Sequence, residues 1–135
     1  MATLRLEIVT PEAKIYSDDV EMVTLPGIEG EMGIYPLHVP LMTQVAAGEV
    51  VALKSGQDLH LAVGEGFVQI TGDRVAVMTD MAIKAEDIDE SQAEEARRRA
   101  EARLKEKLSD EEVAAANAAL VNSLAQLKVK RRGRS

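Results

Sequence analysis

The chain contains no cysteine and no tryptophan, and its aromatic side chains number three, two Tyr and one Phe. Without cysteine there is no disulfide, no thiolate nucleophile and no Cys-based zinc site. An aromatic share of 2% leaves hardly any platform on which bases or sugars could stack, so the core must be aliphatic. No apolar run approaches the roughly 18 residues that span a bilayer. The N-terminal "MATLRLEIVT" alternates and lacks the apolar centre of a signal peptide. A soluble chain is expected, without direct membrane insertion. Its length and its methionine start, with no transit peptide, favour a bacterium over an imported organelle protein.

What is present is unevenly spread over the 135 residues. The net charge is −7, yet residues 128–135, "KVKRRGRS", carry five bases and no acid. An acidic body with a basic end argues against nucleic acid as a partner and suits a tip that meets an acidic protein surface. Composition changes near residue 85. Every proline lies before it, as do eight of the nine glycines. Beyond it come Ala, Glu, Arg and Leu.

The first part reads as strands. "TLRLEIV" places Leu4, Leu6 and Ile8 on one face, "DVEMVTL" repeats the alternation with Val20 and Met22, and "DLHLAV" with Leu59, Leu61 and Val63. "KSGQ" at 54–57 and "TGD" at 71–73 read as turns. Short strands at this spacing predict an antiparallel sandwich or flattened barrel.

The second part reads as two helices. Asp89 with Gln92, or Ser91 with Glu94, makes a capping box before the first. Ser109 with Glu112 makes one before the second, where acids crowd the positive end of the helix dipole. Ala93, Ala96, Ala100, Leu104 and Leu108 form the first apolar stripe; Val113, Ala116, Leu120, Leu124 and Leu127 form the next. So short a connection predicts an antiparallel hairpin. Alanine seams bury little area, so the hairpin needs another surface to hold it and can open at modest cost.

The stretch "LPGIEGEMGIYPLHVPL", residues 25–41, gathers three of the four prolines and three glycines. Its spacing G27-x-x-G30-x-x-G33 fits neither a dinucleotide loop nor a Walker loop. His38 and His60, alone in different segments, make a poor metal site. Glu29 and Glu31 lack a partner acid and read as surface charges. No nucleophile elbow is present, so no catalytic residue is assigned. Prolines that fix φ and glycines that permit close approach describe a rigid docking loop.

That stretch resembles the signature of the epsilon subunits of F-type ATP synthases, called delta in mitochondria: L-P-G-x-x-G-E-x-G-I-x-P-x-H-x-P-L, matched at every fixed position. The resemblance continues through "GEVV" at 48–51, "LAVGEGFVQITGDRVAVMTDMAI" at 61–83 and "DIDESQA" at 87–93. It implies an α+β fold, with an antiparallel β-sandwich of about ten strands over residues 1–86 and an antiparallel two-helix hairpin over 87–135. It implies a non-catalytic rotor subunit that couples the gamma subunit to the c-ring on the cytoplasmic face of a bacterial membrane. Gly30, Glu31, Met32, Gly33 and His38 match positions at or near the c-ring contact. Extended along gamma, the hairpin would reach the alpha and beta subunits and inhibit ATP hydrolysis. Lys128, Lys130, Arg131 and Arg132 would then meet acidic segments of beta.

Some bacterial members bind ATP on the folded hairpin through [I/L]-D-x-x-R-A and further arginines. Here Ile88, Asp89 and Ala93 match, but the arginine has become Gln92, and Asn122 and Gln126 stand where those members carry arginines. Arg99 is a remaining cation. No resident cofactor is expected, and ATP binding should be absent or millimolar at best, since a triphosphate needs fixed cations. Two other readings stay open: a nucleotide-sensing module whose hairpin binds ATP, and a free β-sandwich adaptor with a basic tail.

Overall fold

A computed structural model describes residues 2–132, the side chain of His38 excepted. Ten strands come first: β1 Leu4–Val9, β2 Lys14–Val20, β3 Met22–Gly27, β4 Gly30–Ile34, β5 His38–Val45, β6 Gly48–Lys54, β7 Gln57–Val63, β8 Gly66–Gly72, β9 Arg74–Thr79 and β10 Ala82–Lys84. A single 3-10 turn, Ala85–Asp87, leads into α1, Glu90–Leu104, and α2, Asp110–Arg132. The strand order is β10-β7-β6-β3-β5-β8-β9-β1-β2, with β4 hung on β3. Every pairing is antiparallel except β1 with β9, which run parallel.

The core lies wholly within the strands. Leu4, Leu6, Ile8, Val20, Val23, Leu25, Ile34, Val45 and Ile70 are all buried. Each fully buried aliphatic side chain of this size contributes about 1.5–3 kcal/mol, so the sandwich does not need an aromatic centre. The turn at 54–57 is a two-residue hairpin with Ser55 at φ 52° and Gly56 at φ 76°. Two positive φ values give the twist that matches the flanking strands.

Three alternations behave differently from the sequence reading. "DVEMVTL" is not one strand: the chain breaks at Glu21, whose N–H donates to the Leu53 carbonyl at 2.7 Å. That one extra residue shifts the phase, so Val20, Val23 and Leu25 are buried while Met22 is half-buried. On β7, Leu59 is 40% exposed, whereas Leu61, Ala62 and Val63 are all buried. Both faces of β7 are covered only in that second half, because α2 lies over it there. On α2, Val113 and Leu124 are exposed while Ser123, Ala125, Leu127 and Val129 are buried. The helix faces two surfaces, α1 and the β6–β7 sheet, so a stripe read against one neighbour misses the other.

The caps follow from local chemistry. Asp89, not Ser91, caps α1, accepting from the Gln92 N–H at 3.1 Å. Ser109 and Glu112 form a reciprocal box at α2, with the Ser109 N–H donating to Glu112 and the Glu112 N–H donating to Ser109 Oγ, each at 3.2 Å. The Ser109 contacts, backbone first, hold the Glu112 carboxyl below its usual range. The seam between helices is alanine as expected, with Ala93, Ala100 and Ala116 buried. Towards the hairpin's tip it leaves a cleft of about 360 Å³ lined by Ala96, Ala100, Ala115, Ala116, Arg99 and Arg103.

Candidate functional site

The loop predicted to dock is not one surface. Gly30, Glu31, Met32 and Gly33 lie on β4, whose partner is β3: Gly27 faces Gly30, Pro26 faces Glu31 and Leu25 faces Met32. Glu31 and Gly33 are exposed and Met32 is half-buried. Gly30, Glu31 and Met32 share a cavity of about 560 Å³ with Ile28, Thr43 and Gln44. His38 begins β5 opposite Gly72. Between His38 and Gln44 the strand advances about 3.3 Å per residue, roughly 15–20 Å in all. The two groups thus sit on different strands, Gly30 to Gly33 on β4 and His38 at the start of β5.

Each end carries exposed apolar side chains. Beside Gly30 is Ile28, 58% exposed; beside His38 are Tyr35, Leu37 and Val39, at 60%, 83% and 72%. Leu37 also has φ 66°, a conformation that costs a residue with a Cβ and is kept only where its surroundings impose it.

A further surface escaped the sequence reading. Phe67 on β8 stands opposite Gln44 on β5 and Met78 on β9. Met42, two residues before Gln44, shares that face and is the diagonal neighbour of Phe67. Met42, Phe67 and Met78 are all exposed. The hairpin packs mainly on β6 and β7, and of α2 Val121 reaches a cavity beside Phe67. The signal was in the sequence: "GFVQI" and "VAVMT" carry apolar residues on both faces, which a strand with one solvated face does not require.

The degenerate nucleotide motif forms a cleft. Asp89, Ala93, Arg99, Gln92, Asn122 and Gln126 line a space of about 420 Å³ between α1, α2 and the end of the sheet. Ile88 does not line it; it is 3% exposed and packs with Ala62, Ala125 and Val129. Two carboxylates, Asp87 and Asp89, face the cleft against one guanidinium, Arg99. That balance suits a triphosphate poorly. Among the described residues no group of three or more His, Asp or Glu side chains is placed to hold a metal ion.

The basic end is drawn inward. Lys130 Nζ donates to the Ala85 carbonyl at 3.3 Å. Arg131 reaches Glu90 at 3.1 Å and Glu94 at 2.9 Å on α1. Arg132 pairs with Glu49 on β6. Lys128 is exposed. No helix among the described residues is long and apolar enough to cross a membrane.

Comparison with known proteins covers both parts of the chain. Residues 3–85 match the family model for the ATP synthase delta/epsilon chain beta-sandwich domain, and residues 86–131 match that for its long alpha-helix domain. An ATP synthase epsilon chain from Dehalococcoides mccartyi is 45% identical over 130 residues, covering 96% of this chain and 93% of the relative. One from Laribacter hongkongensis is 40% identical over 130 residues, covering 95% and 93%. Among solved structures, a chain of the Euglena gracilis mitochondrial ATP synthase OSCP/F1/c-ring complex aligns with a TM-score of 0.75 at 22% identity, covering 95% of this chain and 81% of that one. A chain of the Tetrahymena thermophila mitochondrial ATP synthase central stalk/c-ring aligns at 0.65 and 10% identity, covering 94% and 96%. These two show a shared fold. With both domains matched in sequence, the chain belongs to the ATP synthase delta/epsilon chain family.

Proposed function

We propose that this chain is a central-stalk rotor subunit of a bacterial ATP synthase, held peripherally at the cytoplasmic face of the membrane. Its sandwich, residues 1–86, couples the gamma subunit to the c-ring. Its hairpin, residues 87–135, regulates by leaving the sandwich and extending towards the alpha and beta subunits, where it slows ATP hydrolysis. The subunit positions other chains and carries out no chemistry itself.

The observation that carries this reading is the uncovered row of Met42, Phe67 and Met78 across three paired strands. A contiguous apolar row on one sheet face is the surface a shaft can bind without entering a pocket. The β3–β4 end, with Ile28 and Gly30 to Gly33, then serves as the c-ring contact. The His38 end of β5, with the exposed Leu37 and Val39, is a further part of that contact. The alanine seam and the small contact of α2 with the sheet support a hairpin that can leave. Lys128, Lys130, Arg131 and Arg132 are the cations an extended tail would present to acidic segments of beta.

The test is ATPase turnover of an alpha–beta–gamma complex with no addition, with the full chain, and with a chain ending at Lys84. The full chain slows turnover; the truncated chain binds gamma and does not. Phe67→Asp lowers affinity for gamma about tenfold or more, as loss of a central aromatic anchor does. Unchanged affinity for Phe67→Asp would place the gamma contact elsewhere. ATP enters the reading only weakly, because Asp87 and Asp89 outnumber Arg99 in the cleft; a micromolar site found by titration calorimetry would reverse that.

A further inference from the structure

The hairpin is attached to the sandwich by surprisingly little apolar matter. The patch comprises Ala62, Ile88, Ala125 and Val129, with Met81, Ile83 and Ala85 at its edge. Alanine contributes little buried area, and the interhelical seam is alanine too. Against this stands a concentration of polar contacts in one turn of α2. Lys130, Arg131 and Arg132 are consecutive, yet they tie the helix end to three different elements: the 3-10 turn through Ala85, α1 through Glu90 and Glu94, and β6 through Glu49.

We propose that these contacts form an electrostatic clasp, Arg131 closing α2 on α1 through Glu90 and Glu94 and Arg132 tying α2 to the sandwich through Glu49, that sets how firmly α2 stays folded down on its neighbours. Three features separate it from ordinary surface ion pairs, which contribute little. Arg131 spans two carboxylates one helical turn apart, so α2 is held to α1 by two donors of one rigid guanidinium. Glu49 is only 9% exposed in its side chain and is held from the other side by His60 Nδ1 at 2.9 Å, so it is already oriented when Arg132 arrives. The cations also sit at the C-terminal end of α2, where the helix dipole favours them.

The arrangement works as a strap. The clasp closes at the end of the chain's last helix, at the point where α1, α2 and the sheet converge. Opening it leaves the small apolar patch, with the Lys130–Ala85 and Asn122–Asp80 hydrogen bonds, to resist separation. Salt weakens the clasp and leaves the apolar contact unaffected, so the docking of α2 acquires an ionic-strength dependence of its own. This is a property of the isolated chain and stands whether or not the hairpin inhibits a rotary enzyme.

Amide hydrogen exchange on the full 135-residue chain tests it. Arg131→Gln, at an exposed side chain, and the near-isosteric Glu90→Gln should each speed exchange in residues 120–132 about three- to tenfold while β1 to β9 stay as protected as before. The double variant should be no faster than Arg131→Gln alone, since that substitution already removes the Glu90 contact together with the Glu94 one. Raising NaCl from about 0.05 to about 0.5 M should speed the same segment in the unaltered chain and speed it less in the double variant, which keeps only the Arg132–Glu49 pair. Arg132→Gln gives an independent reading through Glu49. Unchanged exchange in all single variants, strictly additive effects, or a salt response spread equally over the strands would overturn the clasp.

Discussion

At the scale of single residues, Glu7 carries more than its place on an exposed-looking strand suggests. It is 7% exposed and takes Lys14 of β2 on one oxygen, at 3.0 Å, and Arg74 of β9 on the other. One carboxylate thus joins three strands, including the lone parallel pair. The Lys14 hydrogen bond, followed by the Arg74 charge, holds its carboxyl below the usual range against the opposing effect of burial. A carboxyl depressed in the folded state stabilises above its unfolded pKa, about 4.3, and loses that contribution as pH falls through the folded value. Glu7→Gln should therefore lower the thermal midpoint by a few degrees at pH 7. At pH about 3 the gap should shrink towards nothing. Calorimetric melts of both chains at the two pH values check this; an equal gap at both would show that Glu7 acts through packing and not through charge.

At the scale of elements, the meeting of sheet and α2 depends on a missing side chain. A Cβ at Gly64 would lie 1.9 Å from Asp80 Oδ1 and 2.6 Å from Asn122 Oδ1. Asn122 Nδ2 in turn donates to Asp80 at 3.5 Å. Gly64 is the seat on which α2 rests, next to the buried Ala62 and Val63. Gly64→Val should push the helix off without disturbing the core of the sandwich. The expected outcome is faster amide exchange across α2, at least tenfold, with unchanged exchange in β1, β8 and β9. A uniform loss of protection would mean instead that Gly64 supports the sheet. "LAVGEG" shows the glycine plainly; its role depends on which helix crosses it, and no local pattern states that.

At the scale of the whole molecule, the two parts differ in how they are held. The strands own the large core, from Leu4 to Val77, while the hairpin shares a patch of seven apolar residues with them. A chain ending at Lys84 should fold cooperatively, with a stability loss of about 2 kcal/mol from uncovering Ala62 and Ile83. Urea unfolding followed by circular dichroism measures it, and an aggregated or molten product would show that the hairpin is part of the core. The acidic body and cationic helix end also make sense together at this scale, because Glu49, Glu90 and Glu94 are the internal partners of that end.

The amino-acid sequence by itself determined the alternation that buries Leu4, Leu6 and Ile8, the turns at 54–57 and 71–73, the Ser109–Glu112 box and the alanine seam. These depend on neighbours within a few residues, where backbone geometry and side-chain periodicity suffice. The resemblance of residues 25–41 added the family, which no periodicity could supply. Tertiary structure alone decided the rest. It put Glu31 and His38 on different strands, β4 and β5, and aligned Met42, Phe67 and Met78 across three strands. It turned Leu124 out and Ala125 in because α2 answers to a sheet as well as to α1. It also gave Arg131 and Arg132 their carboxylates, 37 and 83 positions away for Glu94 and Glu49. Contacts between groups so distant along the chain depend on strand order and helix docking, and a linear pattern carries neither.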